Sequence, residues 1–589
     1  MQIKQIFISA CILLATYTLT ADELSESISR FINNKPTGLS YEIDQEKLYS
    51  SKVLQQFYQN RNYAPAWINY KAPIWINTNV PPWVNASSPI RLNSDSPAWI
   101  ESDIPVWINS NVLQKNGYVL LDYILQAARH GLTAADYHLF LLEKYIGKTA
   151  FFMVMDTEDM MKLDVLLTDA FLIMGLHLYY GRVDSEKEGE SWTIQRKEPE
   201  LQLNRKLEEA LTAGDIANGL NMLAPRYRSY WMMKEDLAFF MELENEPWPA
   251  LISDTTINPG QTNLLLPKIR KRLIKLRYPL SNDFSATYDE ELGKQLKSFQ
   301  KDWGLNTDGV IGKGTLLALN TKPNALINRL KVNMERFRWL PLNEPRKYLM
   351  VNIVSFDLVL IDGVDTLISM RAIVGKDYRE TPVFDARMTY IVFGPSWTVP
   401  PTILKNDVIP ELRKGPEYLK KKNMRLLRHN GSEIAYNEID WSKITRNNFP
   451  YMVRQGPGPE NALGKVKFMF PNSYNVYIHD TPTRGYFARD DRAMSSGCIR
   501  VEKPFELAEL LLTDSPEWTS AKIHTAMQQS REQTASLKTP VDVLILYLTA
   551  WTDGNGRVQF RNDIYMRDEL IMNALNEKPK TEKIKIIPF

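Results

Sequence analysis

At 589 residues the chain is too long for one hydrophobic core, and 44% hydrophobic with 24% charged residues describes an ordinary soluble multidomain protein. Lys plus Arg (71) nearly cancels Asp plus Glu (69) and no long basic tract stands out, so the composition argues against a nucleic-acid partner. Fourteen Trp and 27 Tyr supply faces suited to sugar or peptide surfaces as well as to cores. The opening MQIKQIFISACILLATYTLTADE carries one Lys and an apolar run from Ile6 to Leu19, the pattern of a signal peptide spanning 1–21. Its alternatives are an uncleaved N-terminal membrane anchor and a lipoprotein site at Cys11. Residues 22–250 read as a helical scaffold domain, with apolar residues at three- and four-residue steps in stretches such as GYVLLDYILQAARHGLTAADYHLFLLEKYIG.

An internal repeat interrupts that scaffold at 65–112: PAWINYKA, PIWINTNV, PPWVNASS, PIRLNSDS, PAWIESDI, PVWINSNV. A Pro every eight residues forbids a continuous helix and interrupts a central strand. The repeat reads either as an aromatic ladder for glycan or protein contact or as a duplicated loop insertion without a ligand. His130, His138 and His177 lie in the scaffold without a metal-ligand spacing and read as structural; no metal or cofactor motif occurs. Residues 262–322 form a compact helical unit with an Asp308-Gly309 turn. From 347 to 515 the texture turns to short alternating β runs, broken over about 405–450 by a charged, helical-looking stretch. Within the last segment, 516–589, VDVLILYLTAWTDGNGRVQFRNDIY reads as a closing hairpin before the tail.

Only Cys11 and Cys498 are cysteines, and if Cys11 leaves with the signal peptide no internal disulfide is possible. A solitary thiol kept in an oxidising compartment favours chemical use over packing. In NVYIHD a strand sets Tyr477 and His479 on one face, and after the Gly497 turn CIRV sets Cys498 and Arg500 on one face. His479 is the nearby imidazole able to take the thiol proton, leaving a nucleophile for acyl transfer. The N–H groups of Gly497 and Cys498 are candidates for an oxyanion hole, and the carbonyl or side chain of Asp480 could orient the imidazole.

Two stretches resemble known families. FQKDWGLNTDGVIGKGT resembles the peptidoglycan-binding domain through Phe299, Gln300, Gly304, Leu305, Asp308, Gly309, Gly312 and Thr315. HDTPTRGYFARDDRAMSSGCIR resembles the signature of the L,D-transpeptidases, built on the YkuD-type β-sandwich: His, about fifteen residues, then Ser/Thr-His-Gly-Cys-x-Asn. Ser496 stands where that pattern has His and Arg500 where it has Asn; the large periplasmic members look like this chain in both, and also in RQGPGPENALGKVKFMFPN. The expected fold is therefore multidomain α+β: helical scaffold, small three-helix peptidoglycan-binding-like module, and a β-sandwich catalytic domain with a capping insertion.

The resemblance implies that Cys498 attacks a tetrapeptide stem at the L-centre of meso-diaminopimelate, expels D-Ala, and passes the acyl group to a second stem as a 3→3 cross-link. His479 would be base and then acid, oriented by the Asp480 carbonyl, with Tyr477, Ser496 and Arg500 facing substrate. Arg500 would pair a substrate carboxylate or brace the loop. It further implies peptidoglycan stems and glycan as partners, with wall-synthesis or wall-anchored proteins as further candidates, a periplasmic location, no cofactor, and acylation by carbapenems. The competing readings are a cell-wall binding protein with a silent Cys498 and a Cys hydrolase that hands the acyl group to water.

Overall fold

The computed structural model describes residues 21–34, 40–68, 113–150, 155–185, 192–194, 201–281, 284–445 and 447–579. The expected signal peptide, octad residues 69–112 and the end of the tail lie outside them. The chain divides into two compact units: Met1–Arg182 with Glu198–Pro225 and Leu575–Phe589, and Val183–Lys197 with Arg226–Ala574.

The first unit is built around the helix Thr157–Tyr180, whose N-terminus is capped by Asp156 accepting from the Asp159 N–H at 2.8 Å. The helix is buried nearly all round, which suits a core position. Its fully buried Asp164 accepts backbone N–H bonds from Ala66, Trp67 and Ile68 and the Tyr58 hydroxyl, while the Trp67 indole donates to Thr168 at 2.9 Å. Ala66, Trp67 and Ile68 of the first octad are thus part of the core. Ile68 bridges Leu113 antiparallel, so the described residues that flank 69–112 are paired with each other. One turn along, Asp169 gathers the N–H groups of Tyr49 and Ser50, the Ser50 hydroxyl and His138, which also reaches Glu46 beside the small hairpin β1 (Glu42–Ile43) and β2 (Glu46–Lys47).

In the second unit, helices Leu266–Lys275, Glu290–Asp302 and Lys313–Leu319 close around Leu273, Leu296, Phe299 and Leu319. The Asp308-Gly309 turn is held by Gln300, whose side-chain oxygen accepts the Gly309 N–H at 2.8 Å. Asp302 of this module bonds Tyr278, Arg557 and Gln559, tying it to the hairpin of β16 (Ala550–Thr552) and β17 (Val558–Phe560).

The larger β region of the second unit is built on one sheet of β3 (Lys347–Asn352), β4 (Asp357–Asp362), β5 (Asp365–Gly375), β6 (Phe384–Phe393), β11 (Val466–Met469), β12 (Ile478–His479), β13 (Ala493–Ser495), β14 (Ile499–Val501) and β15 (Gln533–Leu546). Its order is β13-β5-β14-β12-β11-β6-β15-β3-β4, and an additional β4–β5 pairing closes the sheet into a ring packed with apolar side chains. One sequence expectation needs correction here. VDVLIL is the end of the 14-residue β15, paired with β6 and β3 at the heart of the sheet, and only β16 and β17 form a hairpin. Its almost continuous burial is the mark of a central strand, which alternation alone does not distinguish from a hairpin arm.

The interruption in the β texture carries a sheet of its own: β7 (Trp397–Thr398), β8 (Met424–Leu427), β9 (Glu433–Ile434) and β10 (Met452–Gln455), in the order β7-β10-β8-β9. Val399, Leu412, Leu426, Ile434 and Val453 give it a separate core. The helical-looking ELRKGPEYLKKKNMRLL yields only the short helices Ile409–Leu412 and Glu417–Lys421 before turning into β8. Gly415 and Pro416 sit at the break between those two helices.

Candidate active site

β12 and β14 pair in parallel with Ile478 opposite Ile499 and His479 opposite Arg500, which sets Cys498 level with Tyr477. Side chains alternate along a strand, so Tyr477 and His479 on one and Cys498 and Arg500 on the next project from the same face. The Tyr477 and His479 rings lie 5.7 Å apart. The turn entering β12 is fixed by Asn472, whose side chain accepts from the N–H groups of Tyr474 and Val476 and donates to the carbonyls of Phe470 and Val476.

His479 is buried, and its Nδ1–H donates to the Asp480 carbonyl at 2.5 Å, because a carbonyl can only accept. Nε2 is thereby the unprotonated nitrogen of the neutral ring. Burial and the Arg500 guanidinium lower the imidazole pKa to about 3, against hydrogen bonds to the Asp480 and Leu463 backbone. The Asp480 carboxylate works elsewhere, accepting the Lys465 N–H at 2.9 Å and pairing with Arg484 at 3.1 Å. A Cβ on Gly464, which has φ +61°, would collide with that carboxylate, so the Gly in NALGK is required by close approach.

Cys498 is half-buried; burial raises its thiol pKa, partly offset by hydrogen bonds from the Tyr477 amide and hydroxyl and by the Arg500 charge. The thiol also points to the Asn475 carbonyl at 3.9 Å. Among the described residues no hydrogen bond joins the sulfur to His479. The Tyr477 hydroxyl is held up in pKa by burial and by Cys498, and it also bonds Trp397 of β7. The Arg500 guanidinium is largely desolvated, its Nε buried and, among the described residues, without a hydrogen-bond partner.

The expected oxyanion donor at Gly497 is otherwise engaged: its N–H donates to Ser495 Oγ at 3.1 Å, and Ser495 Oγ donates to the Cys498 carbonyl at 2.6 Å. Among the described residues no acceptor takes the Cys498 N–H. Gly497 still matters to the turn, because its φ of +110° is a conformation only glycine adopts freely. Ser496 is exposed and accepts from Arg379 at 2.9 Å.

Sequence reasoning missed the platform beneath this turn. Thr381 Oγ1 donates to the Gly497 carbonyl at 2.9 Å and the Lys376 N–H to the Ser495 carbonyl at 3.2 Å. Tyr565 donates to the Gly375 carbonyl at 2.6 Å. These residues are remote from Cys498 in the chain, and no local motif marks them.

The family model described as "L,D-transpeptidase catalytic domain" (YkuD) matches residues 346–543, a "Scaffold domain" matches 101–237, and a "Putative peptidoglycan binding domain" matches 266–319. A curated protein of Haemophilus influenzae named "Putative L,D-transpeptidase" is 36% identical over 251 residues, 43% of this chain and 50% of that protein. The match thus spans about half the length of that relative. Solved L,D-transpeptidases of Xylanimonas cellulosilytica and Stackebrandtia nassauensis are 14% and 13% identical, with TM-scores of 0.17 and 0.20. They cover 50% and 51% of this chain and 98% and 96% of their own, at scores from which no structural correspondence follows. On its family matches, the chain carries a YkuD L,D-transpeptidase catalytic domain joined to scaffold and peptidoglycan-binding domains.

Proposed function

We propose that this protein is a peptidoglycan L,D-transpeptidase that forms 3→3 cross-links from tetrapeptide donors through a thioester on Cys498. The observation that carries the reading is the parallel register of β12 and β14, which sets a sulfur and an imidazole with an unprotonated Nε2 on one face. Raised thiol and lowered imidazole pKa values describe a neutral resting pair, so the proton moves as attack begins rather than beforehand. Hydrogen bonds of this kind are often long before substrate arrives, so a thiol resting on the Asn475 carbonyl is compatible with proton transfer to His479 once substrate is bound.

In the first half-reaction Sγ bonds to the L-centre carbonyl carbon of diaminopimelate as its proton passes to Nε2. The oxyanion is met by the Cys498 N–H. The C–N bond then breaks, Nε2 returns the proton to the departing D-Ala amine, and a thioester remains. In the second, the side-chain amine of another stem attacks the thioester and gives a proton to Nε2, the C–S bond breaks, and Nε2 returns that proton to Sγ to restore the thiol. Its buried, unpartnered Nε supports Arg500 as a group waiting for a substrate carboxylate rather than a brace. Tyr477, with amide and hydroxyl at the sulfur, fixes where the nucleophile sits. A peptidoglycan substrate puts the protein outside the cytoplasm, in the periplasm in this reading; among the described residues no helix is long and apolar enough to cross a membrane.

The test is intact-protein mass spectrometry after incubation with a tetrapeptide stem or a carbapenem. The wild type gains one acyl adduct and Cys498→Ala gains none. Cross-linking that survives Cys498→Ala overturns the reading, and free tripeptide in place of dimer makes the protein a hydrolase.

A further inference from the structure

Resting on the transpeptidase reading, a second guanidinium at the nucleophile turn has no role assigned. Arg379 ends the short turn Asp377–Arg379 after β5. Its Nη1 donates both to Ser496 Oγ at 2.9 Å and to Asp407 of the capping insertion at 2.8 Å. Both contacts use that one nitrogen, and among the described residues Nε and Nη2 hold no acceptor. A guanidinium offers a planar fork that takes a carboxylate with two parallel bonds, so this one is half-used.

The two partners of Arg379 differ in firmness. On its own side the loop is bonded to the turn through Lys376 to Ser495 and Thr381 to Gly497, so the backbone carrying Arg379 is held beside the nucleophile turn and the guanidinium reaches it through Ser496. Arg379 itself is only 14% exposed, whereas the Asp407 side chain is 50% exposed in the segment Leu404–Val408 of the insertion. An ion pair with so exposed a carboxylate is weak and readily exchanged.

Donor geometry points to the occupant. Ser496 precedes Cys498 by two residues, a span of at most about 7 Å of chain. In a tetrapeptide donor the terminal carboxyl carbon lies about 2.5 Å from the nitrogen that leaves. It is the anion of the donor nearest to the bond that breaks. We infer that Arg379 receives the terminal carboxylate of the donor stem, and that Asp407 is a placeholder which that carboxylate displaces. Arrival of donor then releases the capping insertion from the nucleophile turn, and Arg379 selects a stem with a free carboxyl end over one that continues.

The experiment is calorimetric binding to full-length Cys498→Ala protein, which cannot turn over. The probes are a tetrapeptide stem, the same peptide as a C-terminal carboxamide, and the same peptide amidated at its D-Glu carboxylate. The free-carboxylate stem should bind about tenfold or more tighter than the carboxamide, the size expected of a charge-assisted pair. Added Asp407→Asn should tighten the carboxylate peptide a few-fold and leave the carboxamide unchanged. Arg379→Gln should erase the preference, and Arg379→Lys, which keeps the charge but not the fork, should retain part of it. The D-Glu amide probes any other carboxylate site, Arg500 included; if it loses affinity, Arg379→Gln abolishes that loss and the C-terminal carboxamide binds like the parent, Arg379 reads a different carboxylate and the inference falls. Equal binding of acid and carboxamide, with Asp407→Asn neutral, also overturns it, while acylation of wild-type Cys498 would leave the transpeptidase reading standing. Failure of wild-type acylation with no binding of any probe removes both.

Discussion

His138 in the first unit and His479 in the second are buried to similar depth, 1% and 4% exposed, yet they are driven to opposite charge states. At His138 burial pulls the pKa down, but hydrogen bonds to Asp169 at 2.8 Å and Glu46 at 2.5 Å outweigh it and lift the pKa to about 9. At His479 burial and the Arg500 cation act in the same direction and bring it to about 3. Depth is shared; the sign of the neighbour decides. A doubly bonded cation between two carboxylates has no free nitrogen and serves as a pin. A neutral ring with one nitrogen tied to a carbonyl keeps the other for a proton.

That contrast is sharpest in paired substitutions. His479→Gln should lower kcat/KM by about 10²–10⁴, the usual worth of a general base, with the denaturation midpoint little changed. His138→Gln should leave kcat/KM per folded molecule intact while costing about 3–5 kcal/mol, because Asp169 stays buried without its counter-charge. Denaturant titrations and steady-state rates on both variants check this, and a crossed result breaks the comparison.

A smaller effect separates the two through pH. The His138 contribution is fully present below pH 6.5 and is lost as pH rises through about 9, whereas the His479 contribution is present above pH 6.5 and is lost as pH falls toward about 3. Each slope is at most about 1.4 kcal/mol per pH unit. The stability gap between wild type and His138→Gln should therefore narrow from pH 6 to pH 9, and the gap for His479→Gln should not. Measurement of unfolding at several pH values decides it.

The smallest effect is expected at the repeat. Removing 73–112 leaves Asn69–Ala72 to connect Ile68 and Leu113, residues already bridged, so turnover should be unchanged and stability altered by about 1 kcal/mol or less. Lost binding to sacculi with intact turnover would support the aromatic-ladder reading of the octads.

The sequence made the strand alternation around Tyr477, His479 and Cys498 legible, because period-two patterning and a Gly turn are local signals. It also carried the helical unit at 262–322, where Phe299 and Asp308-Gly309 lie close in the chain. Thr381, Arg379, Trp397 and Tyr565 were hidden for the opposite reason. They reach the site through sheet order, with β5 beside β13 and β14 and the tail folded beneath, and no stretch of sequence states which strands become neighbours. The role of Asp480 was only half visible: its carbonyl and its carboxylate work on different partners, a division set by the approach of Gly464.

Because β12 and β14 run side by side in the same direction, a single rung of backbone bonding sets the spacing of nucleophile and base, and the eighteen residues strung between them do not. The exposed middle of that excursion, Ala488–Asp491, can change composition at little cost to the chemistry, whereas Asp480, Ser495 and Gly497 hold the base and the turn and cannot. A one-residue slip inside either short strand would turn sulfur or imidazole to the far side and end it. Tolerance and intolerance to insertion should thus alternate abruptly along this stretch, with intolerance resuming at Ala493, where β13 pairs with β5.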